Sequence, residues 1–522
     1  MSNGHNISNE PLVTVMTATY NRPKYLAVAI RSVINQTYGN LEICVINDGG
    51  VDVSDIIKSF NDPRILFINR KEHRGLPQSY NEAIKLINGK YVCYLNDDDL
   101  FYPHHVSTLV DALENKTDCH AAYSDLYKTY CRVEPDGTRT VLSKVLDVSR
   151  DFDRFLMLHY NHVLHVSLMH RRDMFDLIGP YNEDLNILID WDLTRRLAFF
   201  TDFYHIHEIT GEYYTPVGES DRISYRGRKD PKQYLRNVLA IRTTRPPKPW
   251  PRIDDLSIII ATDHLDTQTG KTIADIWTNT FYPYQLYLPL PKDELAKLDA
   301  DMPNLITIEV NSAFNDCDLV DAALACCQGE YVAIVPGQFP IKKMWLEEPL
   351  YALIDSNNGP EAIRIEGSTQ NCTAIVIKKC YLQNARSMFT NMPLCQSLQS
   401  AGILIRDLRP EEIPFQFDSL LSEAKEAEKQ GDFAMASEIF EHMTNNYQND
   451  IWTKSLNANA LFLNRKYNKA AQLVSEINRR RPTVDTLLLE ARIHKAQQNF
   501  RLAAKLLNHA KNTLEGNKII WT

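Results

Sequence analysis

One chain of segments occurs twice in this sequence, and that repetition constrains the fold more than any other feature. GKYVCYLNDDDLFYP, beginning at Gly89, returns as GEYVAIVPGQFP, beginning at Gly329. LVTVMTATYN is paralleled by LSIIIATDHL, and QTYGNLEICVIND by NTFYPYQLYLPLP, all at offsets within a few residues of 240. Order and spacing agree as well as residue type, so an internal duplication is the simplest account. Within each copy, β-branched runs alternate with helical stretches, the pattern of an α/β architecture with a largely parallel sheet.

At 522 residues the chain is too long for one core, and its divisions follow composition. Residues 1–10 are expected to be a disordered N-terminus, 11–242 the first α/β domain, and 255–409 the second. Between them, residues 243–254 form a stiff linker, because TTRPPKPWPR puts four prolines in ten residues and sustains neither helix nor central strand. Residues 410–522 are rich in Ala, Leu, Glu, Lys and Gln and read as all-α. There Phe433, Tyr467 and Phe500 are spaced 34 and 33 residues apart, and each is followed by a small residue, Ala436, Ala470 or Ala503. Paired helices at that period resemble tetratricopeptide repeats, whose stacks usually offer a concave face to a partner. Capping of the preceding domain or a self-association contact is the plainer alternative.

The net charge of −9 gives no general attraction to nucleic acid or to an anionic membrane surface. Ten cysteines without a CxxC pair suit buried thiols in a reducing compartment better than a disulfide framework. No apolar run is long enough to span a bilayer, and MSNGHNISNE lacks a signal-peptide pattern; the sequon at Asn6 is read as chance. The expected location is the cytoplasm, with peripheral contact at the inner membrane face left open.

In the first copy, three strands end in polar residues. LVTVM leads into a loop holding Tyr20 and Asn21, before a helix that Pro23 can open. LEICVIND delivers Asp48, followed by Gly49 and Gly50, and YVCYLNDDD delivers Asp97, Asp98 and Asp99. Open α/β sheets gather ligands beyond the carboxyl ends of their strands. Clustered carboxylates repel unless a cation compensates, and Mg²⁺ or Mn²⁺ shared with phosphate oxygens would do so. Taken alone, DDD reads as a solvated acidic turn; an edge shared with Asp48 and the Tyr20 loop favours metal and phosphate.

VTVMTATYNR, AIRSVINQTYGNLEICVIND, SYNEAIKLINGKYVCYLNDDDLFYPHHV and SLMHRRDMFDLIGPYNEDLNILIDWDLTRRLA, in that order over residues 11–215, resemble a family-2 glycosyltransferase with the GT-A (Rossmann-like, nucleotide-diphospho-sugar transferase) fold. The resemblance implies a divalent metal, Mn²⁺ or Mg²⁺, held by Asp98 with Asp99 beside it, and Asp97 turned to the ribose or the metal. This chain has Asn96 where the pattern often begins with Asp. Asp48 is implied to read the nucleobase edge, Tyr20 to pack beside the base, and Arg74 to meet the nucleotide or diphosphate. In NILIDWDLTRRLA, Ile189 replaces a usual Glu while Asp190 keeps the place of the general base; Asp192 is the alternative base, with Asp190 then capping the helix. The family reading is single displacement with inversion, from a nucleotide-diphosphate sugar (a UDP-sugar by preference) to a hydroxyl of a glycan or protein acceptor, in surface polysaccharide or glycoconjugate synthesis. A histidine of the following segment, His207 by choice, would complete the metal shell. Arg222, Arg226, Arg228 and Lys229 would either close over the diphosphate or form a solvated charged loop.

The second copy keeps its apolar strands and loses its acids. Pro291 stands at the place of Asp48, Gly337, Gln338 and Phe339 at those of Asp97, Asp98 and Asp99, and Cys395 at that of Asp190. A catalytically silent GT-A-like domain is expected, with a metal-free second active site as the competing reading. Two further readings of the whole chain are a non-catalytic scaffold acting through its helical repeats and a sugar nucleotidyltransferase. The latter would need a glycine-rich loop after its first strand, and TATYNRPKY has no glycine.

Overall fold

Val13–Thr19 is an apolar and threonine run, buried at nearly every position, and it forms the central strand β1. Strands β2 (Leu41–Asn47) and β4 (Tyr91–Tyr94) flank β1 in parallel, and β3 (Ile65–Asn69) extends the sheet beyond β2. The computed structural model describes residues 10–146, 149–218, 230–298, 304–311, 315–342, 345–354, 360–366, 373–389, 393–407, 416–446 and 451–516. Among them, β5 (Leu100–Phe101), β6 (Ala121–Val133), β7 (Arg139–Leu146), β8 (Leu168–Arg171) and β9 (Phe203–Pro216) complete a first sheet of order 3-2-1-4-8-6-9-5, with β7 paired to β6. The helix Pro23–Ile34 turns its buried residues Leu26, Ala29, Ile30 and Val33 onto one face of this sheet, alongside Val13 and Val15 of β1.

The second sheet repeats the first. Strands β10 (Leu256–Ala261), β11 (Tyr284–Pro291), β12 (Leu305–Val310), β13 (Tyr331–Pro336), β14 (Ala362–Glu366), β15 (Thr373–Lys378) and β16 (Ile405–Asp407) run in the order 12-11-10-13-15-14-16. Substituting β10 for β1, β13 for β4, β15 for β8, β14 for β6 and β16 for β9 reproduces the path of the first sheet, and each strand pair keeps its sense. β13–β15 and β14–β15 are antiparallel, as are β4–β8 and β6–β8, and β14–β16 is parallel, as is β6–β9. Agreement of topology down to the polarity of each pair supports duplication more strongly than the residue likeness does.

The two sheet units meet around helix Ile189–Leu197 of the first. Arg195, fully buried, donates to the carbonyl oxygens of Arg242 (2.8 Å), Thr244 (2.8 Å) and Phe281 (3.3 Å), so one guanidinium ties the helix to the linker and to the second unit. His159 stacks on Phe281, and Phe155 packs on Tyr282 and Tyr351.

Beyond them come helices Gln416–Gln430, Phe433–Asn446, Ile451–Leu463, Tyr467–Arg480, Val484–Ala496 and Phe500–Gly516. Phe433, Tyr467 and Phe500 each open the second helix of a pair, and Ala436, Ala470 and Ala503 are buried, as close helix packing requires. The array also docks on the first sheet. Val484 joins Leu100, Tyr102 and Tyr127 in one apolar cluster, and Arg481 pairs with Asp125. None of the described helices is long and apolar enough to cross a membrane.

Candidate active site

Three buried carboxylates follow β4: Asp97 (5% exposed), Asp98 (7%) and Asp99 (2%). The last residue of β1 and the loop after it close on the first two. Thr19 Oγ1 donates to Asp97 Oδ2 at 2.8 Å, and Arg22 Nη1 donates to Asp97 Oδ1 at 3.2 Å and to Asp98 Oδ2 at 3.1 Å. Burial, and then the Asp98 charge, push the Asp97 carboxyl up to about 6, against the pull of Arg22 and Thr19. Arg139 fixes the main chain here by donating to the Asp98 carbonyl at 2.6 Å, its guanidinium held over the Tyr25 ring. Asp99 faces away from this pair: its Oδ1 accepts from the Tyr214 N–H (2.9 Å) and its Oδ2 from Asn96 Nδ2 (2.8 Å), so the carboxylate anchors the turn to β9.

At the end of β2, Asp48 organises the loop that follows β3. Oδ1 accepts from the Arg74 N–H (3.1 Å) and from Arg70 Nη1 (3.1 Å), and Oδ2 from the Gly75 N–H at 2.8 Å, with His73 Nδ1 2.9 Å away. Gly49, at φ +75, admits this loop: a Cβ there would lie 2.2 Å from the Glu72 carbonyl carbon. The half-exposed Tyr20 stacks on His73 at 4.0 Å. Tyr20, Asp48 and the Arg74 backbone are therefore brought together, while the exposed Arg74 guanidinium lies 3.7 Å from Glu72.

Asp190 is the second residue of helix Ile189–Leu197, which follows Leu188 at a left-handed φ of 61. Asn161 Nδ2 donates to its Oδ2 at 3.0 Å, and burial raises its pKa above the usual carboxylate range. Trp191 pins the helix by donating from Nε1 to the Met157 carbonyl at 2.8 Å. Asp192 is buried against Arg196, accepting on Oδ2 from Nε (3.0 Å) and Nη2 (2.7 Å). Tyr80 is fully buried, and burial raises its pKa most, with the charges of Asp97 and Asp190 raising it further.

His207 is placed otherwise. Its Nε2 lies 3.0 Å from Asp151 Oδ1, and its ring is 4.1 Å from that of His205; no contact joins it to Asp97–Asp99 among the described residues. Arg222, Arg226, Arg228 and Lys229 lie outside the described residues. Sequence reasoning passed over Thr19, Arg22, Arg139 and Asn161. Of these only Arg22 carries a legible signal, as a cation on the loop that faces the acids; the other three need the fold to bring them in.

The matching edge of the second sheet is filled. Gly337 sits where a Cβ would lie 2.8 Å from Thr262, Phe339 is buried, and Gln338 Nε2 donates to Asp266 at 3.0 Å.

Residues 14–163 match the family model described as "Glycosyl transferase family 2". An uncharacterized glycosyltransferase of Rickettsia prowazekii is 31% identical over 208 residues, covering 38% of this chain and 62% of the relative. The chondroitin synthase of Escherichia coli is 28% identical over 207 residues, covering 38% of this chain and 28% of that enzyme. The match therefore spans less than two thirds of either relative. Among solved structures, S. aureus TarS 1–349 in complex with UDP-GlcNAc overlaps 44% of this chain and 65% of its own at 14% identity, with a TM-score of 0.36, too loose to bear on function. Over residues 14–163, the first α/β unit of this chain is thus similar to family 2 glycosyltransferases.

Proposed function

We propose that the first sheet unit catalyses inverting, metal-dependent transfer of a sugar from a nucleotide-diphosphate sugar to an acceptor hydroxyl, and that the second is catalytically silent. The observation that carries this reading is the buried pair Asp97 and Asp98 at the end of β4, both held by Arg22, on a parallel sheet whose neighbouring strand ends carry Tyr20 and Asp48. Two buried carboxylates sharing a single guanidinium are also an anionic pair that fits a divalent cation. Asp98, with Asp97 beside it, would hold Mn²⁺ or Mg²⁺. Such a cation, when bound, supplies positive charge against the diphosphate leaving group.

The chain's own residues do the rest. Tyr20, Asp48 and the Arg74 loop form the wall for the nucleotide. Asp190, its proton affinity raised by burial, takes the proton from the acceptor hydroxyl. That oxygen bonds to the anomeric carbon as the bond to the diphosphate oxygen breaks, and the nucleoside diphosphate leaves from the opposite face. Asp192, committed to Arg196, is the poorer base. Asp99, with both oxygens bonded to the protein, is the weaker metal ligand. A relative named chondroitin synthase favours a glycan acceptor and polysaccharide synthesis; a UDP-sugar as donor and the cytoplasm as the site of action are part of the same proposal.

A thermal-shift screen of the full chain against nucleotide sugars, with and without Mn²⁺, tests this. Stabilisation by a UDP-sugar only when Mn²⁺ is present, and its loss in D98A, is expected. A folded protein that neither binds nor turns over any nucleotide sugar would instead be a scaffold acting through its helices.

A further inference from the structure

We propose that Asp125, His205 and His207 form a second divalent-metal site, separate from the Asp97–Asp98 edge, where the first sheet meets the C-terminal helices. One oxygen or ring nitrogen from each of the three lies within 4.8 Å of the others. His205 and His207 stand two apart on β9, a spacing that directs side chains to one face of a strand. The register of β6 against β9 slips here, from Ser124 opposite Ile206 to Asp125 opposite Ile209. An irregularity of this kind re-aims side chains, and functional sites often use one.

The ligand atoms are held as a metal shell is held. His205 Nε2 lies 3.0 Å from Asp125 Oδ1, and its Nδ1 is 2.8 Å from Asp151 Oδ1, the oxygen that also faces His207 Nε2 at 3.0 Å. The Tyr123 ring stacks on His205 at 4.6 Å and fixes its plane. Ser149 Oγ (2.8 Å) and Arg481 both donate to Asp125 Oδ2, which leaves Oδ1 toward the imidazoles. Outer partners of this kind orient ligating groups and tune their affinity. Asp151 is mostly exposed and gives a path from solvent. Two imidazoles with carboxylate oxygens suit a borderline transition metal, Zn²⁺ above all, whereas an all-oxygen set would suit Mg²⁺. Because Arg481 opens the turn before helix Val484–Ala496, metal held by Asp125 stiffens the carboxylate on which that helix pair is anchored.

The test uses the full chain stripped of metal by a chelator and titrated calorimetrically with Zn²⁺ alone, without nucleotide, with bound zinc measured after desalting. The expected result is that wild type and D98A both retain zinc and gain thermal stability from it. H207Q, at a half-exposed position where the fold tolerates change, should bind more than about tenfold more weakly with its metal-free melting temperature unchanged. Equal uptake by wild type and H207Q, no uptake by wild type, or loss of all uptake in D98A each overturns the proposal. In those cases the cluster is an ion-paired network in which His205 needs no partner beyond its two carboxylates.

Discussion

Gly89 and Gly329 make the same hydrogen bond in different sheets: the N–H of Gly89 donates to Thr14 Oγ1 and that of Gly329 to Ser257 Oγ, each at 3.1 Å. Both glycines lie against a neighbouring strand with no room for a Cβ, which would fall 2.5 Å from Thr14 Oγ1 in one case and 2.6 Å from the Ser257 nitrogen in the other. G89A and G329A should therefore each force two paired strands apart, lowering stability by about 1–3 kcal/mol. Denaturant titration reads the loss. The two should differ in activity: β4 carries the acids, so G89A should also weaken nucleotide-sugar binding, whereas the folded fraction of G329A should turn over normally. Equal loss of turnover per folded molecule in both would give the second sheet a share in the chemistry.

Asp190 and Asp192 sit two residues apart on one helix and should fail in opposite ways. D190N keeps the acceptor oxygen for Asn161 but cannot take a proton, so donor affinity should persist while transfer falls by about two to four orders of magnitude. D192N leaves Arg196 buried beside a neutral amide, and uncompensated buried charge destabilises by about 3–5 kcal/mol. Its melting temperature should drop, while transfer well below the melt survives. An active D190N with a stable but inactive D192N would exchange the two roles.

Much of this was legible because strand order leaves a mark in sequence. The apolar runs that became β1, β2 and β4 ended at Tyr20, Asp48 and Asp97–Asp99, and the parallel sheet carried those ends to one edge. Side-chain commitment left no such mark. DDD is three equal letters, yet Asp97 and Asp98 share Arg22 while Asp99 turns to the Tyr214 amide. The difference arises because the chain turns into β5 at Leu100 and pairs with β9. His207 likewise reads as a histidine for the Asp98 metal shell until β6 brings Asp125 alongside His205 and His207. The clasp of Arg195 on Phe281 joins segments 86 residues apart, and no local pattern announces it.

Glu347 marks the junction of the two sheet units as sensitive to pH. It is fully buried, its Oε1 accepting from the N–H groups of Phe281 (2.8 Å) and Tyr282 (3.1 Å), and burial pushes its pKa from 4.5 up to about 7. The folded state therefore holds this proton more tightly than the unfolded chain. Its stabilising contribution is fully present below about 4.5 and is lost as pH rises to about 7. E347Q keeps a neutral acceptor for both N–H groups and has no charge to bury. At pH 8 it should be more stable than wild type, by on the order of 3 kcal/mol at most, and near pH 4 the two should converge. Thermal melts across that range decide it; a variant less stable than wild type at pH 8 would mean that the carboxylate is ion-paired when charged.

The second edge offers a test of how thoroughly its site has been removed. Gln338 occupies the place of Asp98 and is exposed in its hydrogen bond to Asp266, so Q338A should change neither donor affinity nor transfer rate. Gly337, at the place of Asp97, is different, because the space an aspartate would need is taken by Thr262. G337D should destabilise the protein by about 1–3 kcal/mol, and the double variant G337D/Q338D should still bind no Mn²⁺ beyond the wild-type amount. Metal uptake by that double variant would show the edge to be open and its silence to rest on two side chains alone. Without such uptake, the silence belongs to the packing: Phe339 and Thr262 fill the volume that the first sheet leaves for its acids.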